Sequence, residues 1–326
     1  MKKVSLILSL LAVVSLVSCG EVTTSSSSKE SLTSSIVVPT SPMSIVAPSG
    51  APALGLVHYF SSYKEQSAIV AADSLVPTFV KGEKDAIVAP INVGIKMYNT
   101  NANYKLFKTI TWGNLFILAK AEEKVTNILD LKGKTVVAFG KGSVPEIVLS
   151  SILAKNNITD CTVNYSAKDV TEAVAQFKGG TANIIIVAEP ILSKIKKSLG
   201  TGINIISLQE EYKKINGDAS YPQAALFVNK NYIEKFSDKY MLEMLSSITK
   251  VNSELETSAE VAVALDNSFA TIGKEALISA IPNCSINYLN DKKAEKSAVE
   301  KYLTYIDDLK LSASYGAKVP DEAFYI

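Results

Sequence analysis

The chain has 326 residues, and its 33 basic and 32 acidic side chains leave a formal charge of +1. A balance this close leaves no electrostatic footprint for nucleic acid, which is expected not to be a partner. Every basic residue is a lysine, so no guanidinium fork is available to grip a carboxylate, sulfonate or phosphate. With one histidine and three cysteines, the chain shows no metal-spaced cluster and no nucleophile–base pair, and neither catalytic residue, metal nor cofactor is expected.

In chain order, Lys2 and Lys3 precede an apolar run, Val4 to Val17, interrupted only by serines. This pattern predicts a secretory signal over residues 1–18, too short to be a comfortable permanent span. It ends in Leu16-Val17-Ser18-Cys19, which resembles the bacterial lipobox. Lipidation of Cys19 would place several acyl chains in the bilayer, enough for stable anchoring at the extracytoplasmic face of the cell membrane. Residues 19–41 are rich in Ser and Thr and poor in large apolar groups, which predicts a solvated tether.

From Met43 onward, short aliphatic runs alternate with amphipathic ones. Ser44 to Ala47, Ser67 to Ala71 and Ala86 to Val88 read as strands. Helices are expected from the Ser49-Gly50 turn to about Phe60 and over Ser74 to Lys81. The unit recurs with strands at Thr135 to Ala138, Thr162 to Tyr165 and Ile184 to Val187, and helices at Val144 to Lys155 and Asp169 to Lys178. Ser166 and Asp169 are spaced as a capping box before the second of these. A helix Ile191 to Ser198 and a strand Ile203 to Ile206 complete this half. Continuous rather than alternating apolar runs predict strands covered on both faces. The chain also repeats a phrase: GEKDAIVAP (Gly82 to Pro90) and GGTANIIIVAEP (Gly179 to Pro190) each pass from Gly through Asp or Asn into an aliphatic run and end at Pro. Each is read as the third strand of a βαβαβ unit, whose carboxyl end is where open α/β sheets bind ligands.

The run DLKGKTVVAFGKGSVPEIVLSSILAKNNI (Asp130 to Ile158), followed by VTEAVAQFKGGTANIIIVAEP (Val170 to Pro190), resembles the solute-binding proteins of ABC importers for nitrate, sulfonates, taurine and thiamine precursors. The strand and Gly/Pro loop SIVAPSGAPA (Ser44 to Ala53) fits the start of such a domain. The resemblance covers roughly Pro42 to Asn231. It implies an α/β fold of the type II periplasmic-binding-protein kind: two doubly wound lobes, two hinge strands, and a helical C-terminal part packed on lobe I. The hinge strands would be Leu115 to Ala119, after Trp112-Gly113-Asn114, and Ala224 to Val228, after Tyr221-Pro222. Lobe I would hold 42–120 and 225–326, and lobe II 121–224. C-terminal helices are expected at Lys239 to Glu256, Ala259 to Asn267 and Asp291 to Asp307. Cys161 and Cys284 then fall in different lobes, which favours two free thiols.

The resemblance implies a binding protein rather than an enzyme, with a small-molecule solute, a membrane ABC permease and, through Cys19, the lipid bilayer as partners, and a monomeric state. The candidate ligand-binding residues lie on strand-end loops and at the hinge: Ser49, Gly50, Ala51, Pro90, Asn92, Trp112, Gly142, Ser143, Glu189 and Tyr221. Ser49/Gly50 and Gly142/Ser143 precede helices, so free N–H groups and the positive dipole end are expected to face the cleft. Trp112 and Tyr221 could stack on a planar ring or pack at the hinge. Glu189 could accept from a ligand N–H or sit in solvent. With no arginine, the balance tilts from nitrate or taurine toward a larger neutral or heteroaromatic solute. Two further readings stay open: an enzyme on the same fold, like a thiamine-pyrimidine synthase, and a surface lipoprotein that recognises a macromolecule.

Overall fold

A computed structural model describes residues 41–326 except 101, 218, 219 and 234–237. Cys19, the signal segment 1–18 and nearly all of the tether 19–41 lie outside the described residues.

The described strands form two five-stranded sheets. The first has the order β2 (Ser67–Val70), β1 (Ile45–Pro48), β3 (Ala86–Pro90), β10 (Pro222–Asn229), β4 (Tyr104–Trp112). The second has the order β7 (Thr162–Asn164), β6 (Thr135–Val137), β8 (Ile184–Ala188), β5 (Leu115–Lys120), β9 (Ile203–Ser207). Pairing is identical in kind: β1 is parallel to β2 and β3, as β6 is to β7 and β8, while β10 and β5 are antiparallel to both of their neighbours. The repeated phrase is thus the third strand, β3 and β8, of two copies of one topology. Each copy is α/β, and together they give the two-lobed architecture that the resemblance implies.

The chain passes between sheets at β4 to β5, through Gly113 and Asn114 alone, and returns along β10. The aliphatic runs of β1, β3 and β8 are buried up to their last residue, as expected for strands covered on both faces.

Helices pack around the sheets. They are α1 (Ala51–Gly55), α2 (Val57–Ser62), α3 (Leu75–Lys81), α4 (Ile91–Asn99), α5 (Val144–Lys155), α6 (Val170–Lys178), α7 (Ile191–Leu199), α8 (Leu208–Asn216), α9 (Lys230–Ile233), α10 (Asp238–Ser253), α11 (Leu255–Leu265), α12 (Asn267–Ile272), α13 (Lys274–Ala280) and α14 (Lys292–Asp308). One core lies between the first sheet and α1, α2 and α10–α13. Another lies between the second sheet and α6 and α7. A third runs through both halves, from Phe79 and Phe227 through Tyr221 and Tyr212 to Ile147 of α5. Among the described residues no helix is long and apolar enough to cross a membrane.

Several elements differ from the sequence expectation. The helix expected up to Phe60 is broken at Leu56, whose φ of −110° leaves the helical range and separates α1 from α2. The cap of α6 is not Ser166 with Asp169. Asp169 accepts from the Glu172 amide at 2.9 Å and Glu172 accepts from the Lys168 amide at 2.9 Å, while the Ser166 hydroxyl donates to Gln176. The residues Ala89 to Asn92, expected as a loop, contain none, because β3 ends at Pro90 and α4 begins at Ile91. The strand β4 and the helices α4, α8, α9, α12 and α13 were not anticipated at all.

Candidate functional site

The crossing between sheets is tightly built. The Gly113 amide donates to the Tyr221 carbonyl at 3.1 Å, so the pairing of β4 with β10 continues into the crossing itself. A β-carbon on Gly113 would lie 2.7 Å from Gln209 Cγ and 2.8 Å from Tyr221 Cε1, so only glycine fits. Next along, the Asn114 amide N–H donates to Gln223 Oε1 at 3.0 Å and Gln223 Nε2 returns a bond to Asn114 Oδ1 at 2.6 Å. The Asn114 carbonyl accepts from the Glu189 amide at 3.2 Å, which ties the end of β8 to the same point.

Trp112 is buried here. Its indole N–H donates to the Asn287 carbonyl at 3.2 Å and its backbone amide to the Ser285 carbonyl at 2.9 Å. The Ser285 hydroxyl donates to the Gly113 carbonyl at 2.9 Å. Tyr221 is fully buried, edge-on to Tyr212 with ring centroids 5.0 Å apart. Trp112, Glu189 and Tyr221 are therefore brought together around Gly113 and Asn114. Gln223, Ser285 and Asn287 complete that cluster, and no motif marks them in the sequence.

At the strand ends of the first sheet, Ser49 is exposed and donates to the Ser268 hydroxyl at 2.9 Å. Gly50, with φ of 100°, precedes α1, and Ala51 is buried. Since α1 has five residues, its dipole end is weak. Pro90 sits at the N-cap of α4, and two residues on Asn92 is completely buried. Its Nδ2 donates to the Gly142 carbonyl at 2.9 Å and to the Ser314 carbonyl at 3.2 Å. Gly142 belongs to the loop after β6, so this amide joins the strand-end segments of the two sheets.

The same loop corrects one expectation. The Gly142 amide is not free: it donates to Glu146 Oε2 at 2.6 Å. Ser143 is the N-cap of α5 and makes no side-chain capping bond. Lys141 extends to the Tyr165 ring, 6.0 Å from its centroid.

Glu189 is 5 % exposed. Its two oxygens accept from the backbone amide and the hydroxyl of Ser193 at 3.0 and 2.9 Å. Burial pushes its carboxyl above the ordinary carboxylate range, against the pull of the Ser193 bonds and of Lys196. Cys284 is raised first by complete burial and then by the nearby Glu189 charge. Both Cys161 and Cys284 are free thiols; burial lifts Cys161 to about 11, so neither is a ready thiolate. His58 lies away from this region on α2, hydrogen-bonded through Nε2 to the fully buried Ser258 hydroxyl at 2.7 Å. Among the described residues no group of three or more His, Cys, Asp or Glu side chains could hold a metal ion.

Residues 105–241 match the family model described as NMT1/THI5 like, the kind of family that the sequence resembles. No curated protein matches the chain. Among solved structures, an ABC transporter from Parabacteroides distasonis is similar at 21% identity and a TM-score of 0.71, over 88% of this chain and 99% of that one. The periplasmic aliphatic sulphonate binding protein SsuA from Escherichia coli is similar at 16% identity and a TM-score of 0.63, over 85% and 91%. The alkanesulfonate-binding protein SsuA from Xanthomonas axonopodis pv. citri, bound to MOPS, is similar at 14% identity and a TM-score of 0.60, over 85% and 93%. These likenesses establish the periplasmic-binding-protein fold.

Proposed function

We propose that this chain, which has the periplasmic-binding-protein fold and matches the NMT1/THI5-like model over 105–241, captures a small organic solute between two lobes and delivers it to an ABC permease. The lobes would follow the two sheets, close to the expected 42–120 with 225–326 and 121–224, except that β5 goes with lobe II and Pro222 to Ala224 with lobe I. The protein would act as a monomer outside the cytoplasm, held to the membrane through Cys19.

One observation carries the reading beyond the fold. Asn92, in the first turn of the helix that follows the first repeated strand, hydrogen-bonds Gly142 of the loop after β6 in the other half, so the two sets of strand-end segments meet as jaws would. Ser49, Gly50, Ala51, Pro90, Asn92, Trp112, Gly142, Ser143, Glu189 and Tyr221 are the residues proposed to line or support the binding site. A solute that touches both lobes favours the closed form by its differential affinity for the two states. The crossing at Gly113 is the natural pivot, because the backbone there is held by hydrogen bonds while the sheets on either side are separate. The tether keeps the domain close to the permease and raises its effective concentration there.

Small-angle scattering of the full-length protein in detergent tests the proposal. A solute that binds by titration calorimetry should also lower the radius of gyration. A tightly bound solute that leaves the scattering curve unchanged would remove the hinge from the mechanism.

A further inference from the structure

We infer that the solute is a hydrogen-bond donor without negative charge, a neutral or cationic molecule presenting N–H groups, and that Asn92 Oδ1 and the Glu189 carboxylate are the acceptors that read it. This rests on the two-lobed solute-binding reading and narrows it to a chemical class.

The Asn92 amide is the first observation. Its two N–H groups are both spent, on the carbonyls of Gly142 and Ser314. Because both partners are acceptors, they fix which end of the amide is nitrogen. Oδ1 is then left buried with no hydrogen-bond partner, in a side chain that is 0 % exposed. A buried acceptor left unmade is costly. This one lies where the strand-end segments of the two sheets touch, beside the Asn92–Gly142 hydrogen bond. It calls for a donor.

Glu189 is the second. It lies just past the end of β8, one residue before the proline that caps α7, so it too is a strand-end residue, although its place differs from that of Asn92, which lies two residues past the proline that caps α4. Its oxygens each take one bond, both from Ser193, and each keeps further lone-pair capacity. No lysine forms an ion pair with it among the described residues. A carboxylate buried this far, with Lys196 pulling on it but not paired to it, is poorly compensated. A bound cation or N–H pair would supply the missing partner.

The two Gly/Ser loops expected to hold an anion are weak or already engaged. The helix end at α5, which has the length for a useful dipole, carries Glu146 in its first turn, and that carboxylate already occupies the Gly142 amide. A sulfonate placed there would meet a like charge. The other loop leads into a helix of five residues. Lys141 is directed at Tyr165, and the chain contains no arginine. Acceptors in excess and anion sites blunted give one sign of recognition.

Titration calorimetry on the full-length protein in detergent, paired with scattering, tests this with four probes. Benzamidine and cytosine present N–H donors without negative charge, while benzenesulfonate and ethanesulfonate are anions of similar size. The expected result is heat and compaction with benzamidine or cytosine and neither with the sulfonates. Glu189→Gln should then weaken benzamidine binding at least tenfold with the melting temperature maintained, and Asn92→Leu should weaken cytosine. Compaction with a sulfonate would overturn the inference and leave the solute-binding reading standing. Heat without compaction would overturn the two-lobed reading itself, and silence from all four probes would overturn the inference. An unchanged benzamidine affinity in Glu189→Gln would remove Glu189 from the site and overturn the assignment.

Discussion

The helices α4 and α7 leave equivalent strands through the same Pro–Ile step, yet one is sunk in the core and the other rides on its edge. In α4, Ile91, Asn92, Gly94, Ile95 and Met97 are buried, whereas in α7 only Leu192 and Ile195 are. The cause is what covers them. The C-terminal segment lies along α4: Asn99 donates to the carbonyls of Tyr315 and Lys318 at 3.0 and 2.6 Å, and the Tyr98 hydroxyl donates to Asp321 at 2.6 Å. Phe324 packs against Tyr98 with ring centroids 4.8 Å apart and is fully buried, while the Ile326 amide reaches the Leu106 carbonyl at 3.0 Å. The corresponding outer face of α7 carries Lys194, Lys196 and Lys197 instead. One topology therefore supports two environments, and the strap formed by the last residues decides which half is doubly covered.

The sharpest way to break that contrast is to undo the strap. Phe324→Ala removes a fully buried ring from the core shared by α4 and β10 and should cost about 3–5 kcal/mol, read as a shifted midpoint in urea. Gly94→Ala comes next. Its β-carbon would lie 2.0 Å from Phe227 Cζ, so overpacking should cost about 1–3 kcal/mol. Combining it with Phe227→Leu should recover part of the loss, because the two sites share the clash. An additive double variant would show that α4 does not press on β10.

A smaller effect separates the halves by pH. Each half buries a glutamate whose carboxyl is pushed up by desolvation: Glu189, and Glu295, which accepts from the Thr109 amide at 2.8 Å. A folded-state pKa above the ordinary 4.5 means the native state holds the proton longer than the unfolded chain. Stability should then fall as pH rises from about 4.5 through the raised value. Glu295→Gln and Glu189→Gln should each flatten part of that slope in pH-resolved denaturation. An unchanged slope in both would place the pH dependence elsewhere. The smallest expected change is Lys194→Ala, within about 0.5 kcal/mol of the parent, although it is the counterpart of Gly94. A loss comparable to Gly94→Ala would mean that α7 is as closely held as α4.

Much of this fold was legible because its central strands are continuous aliphatic runs. Ala86 to Val88, Thr135 to Val137 and Ile184 to Val187 could be placed without any tertiary information, whereas the crossing was expected only by resemblance, along Leu115 to Ala119, and the chain in fact crosses just before it, at Gly113 and Asn114. β4 was missed because Lys105, Lys108, Thr109 and Thr111 interrupt its apolar character. Thr109 and Thr111 are nevertheless fully buried, and Lys108 is 8 % exposed. α4 was missed because Asn92, Gly94 and Asn99 read as loop chemistry, while in the folded chain they serve close packing and strap contacts. At the site, Asn92 and Gly142 could each be named from strand-end logic, but nothing linear joins them. Gln223 lies 109 residues from Asn114, and Ser314 lies 222 residues from Asn92.

What the sequence by itself determined is the class of architecture, the repeated unit and the absence of arginine, since periodicity, turn chemistry and composition are properties of the chain before it folds. Which polar atoms stay unsatisfied was decided only in three dimensions. The Gly142 amide looked free until Glu146 closed on it, and Asn92 looked like any loop asparagine until two carbonyls claimed its nitrogen and left its oxygen bare. A hydrogen bond is a statement about distance and direction, and distance between remote residues is set by packing alone.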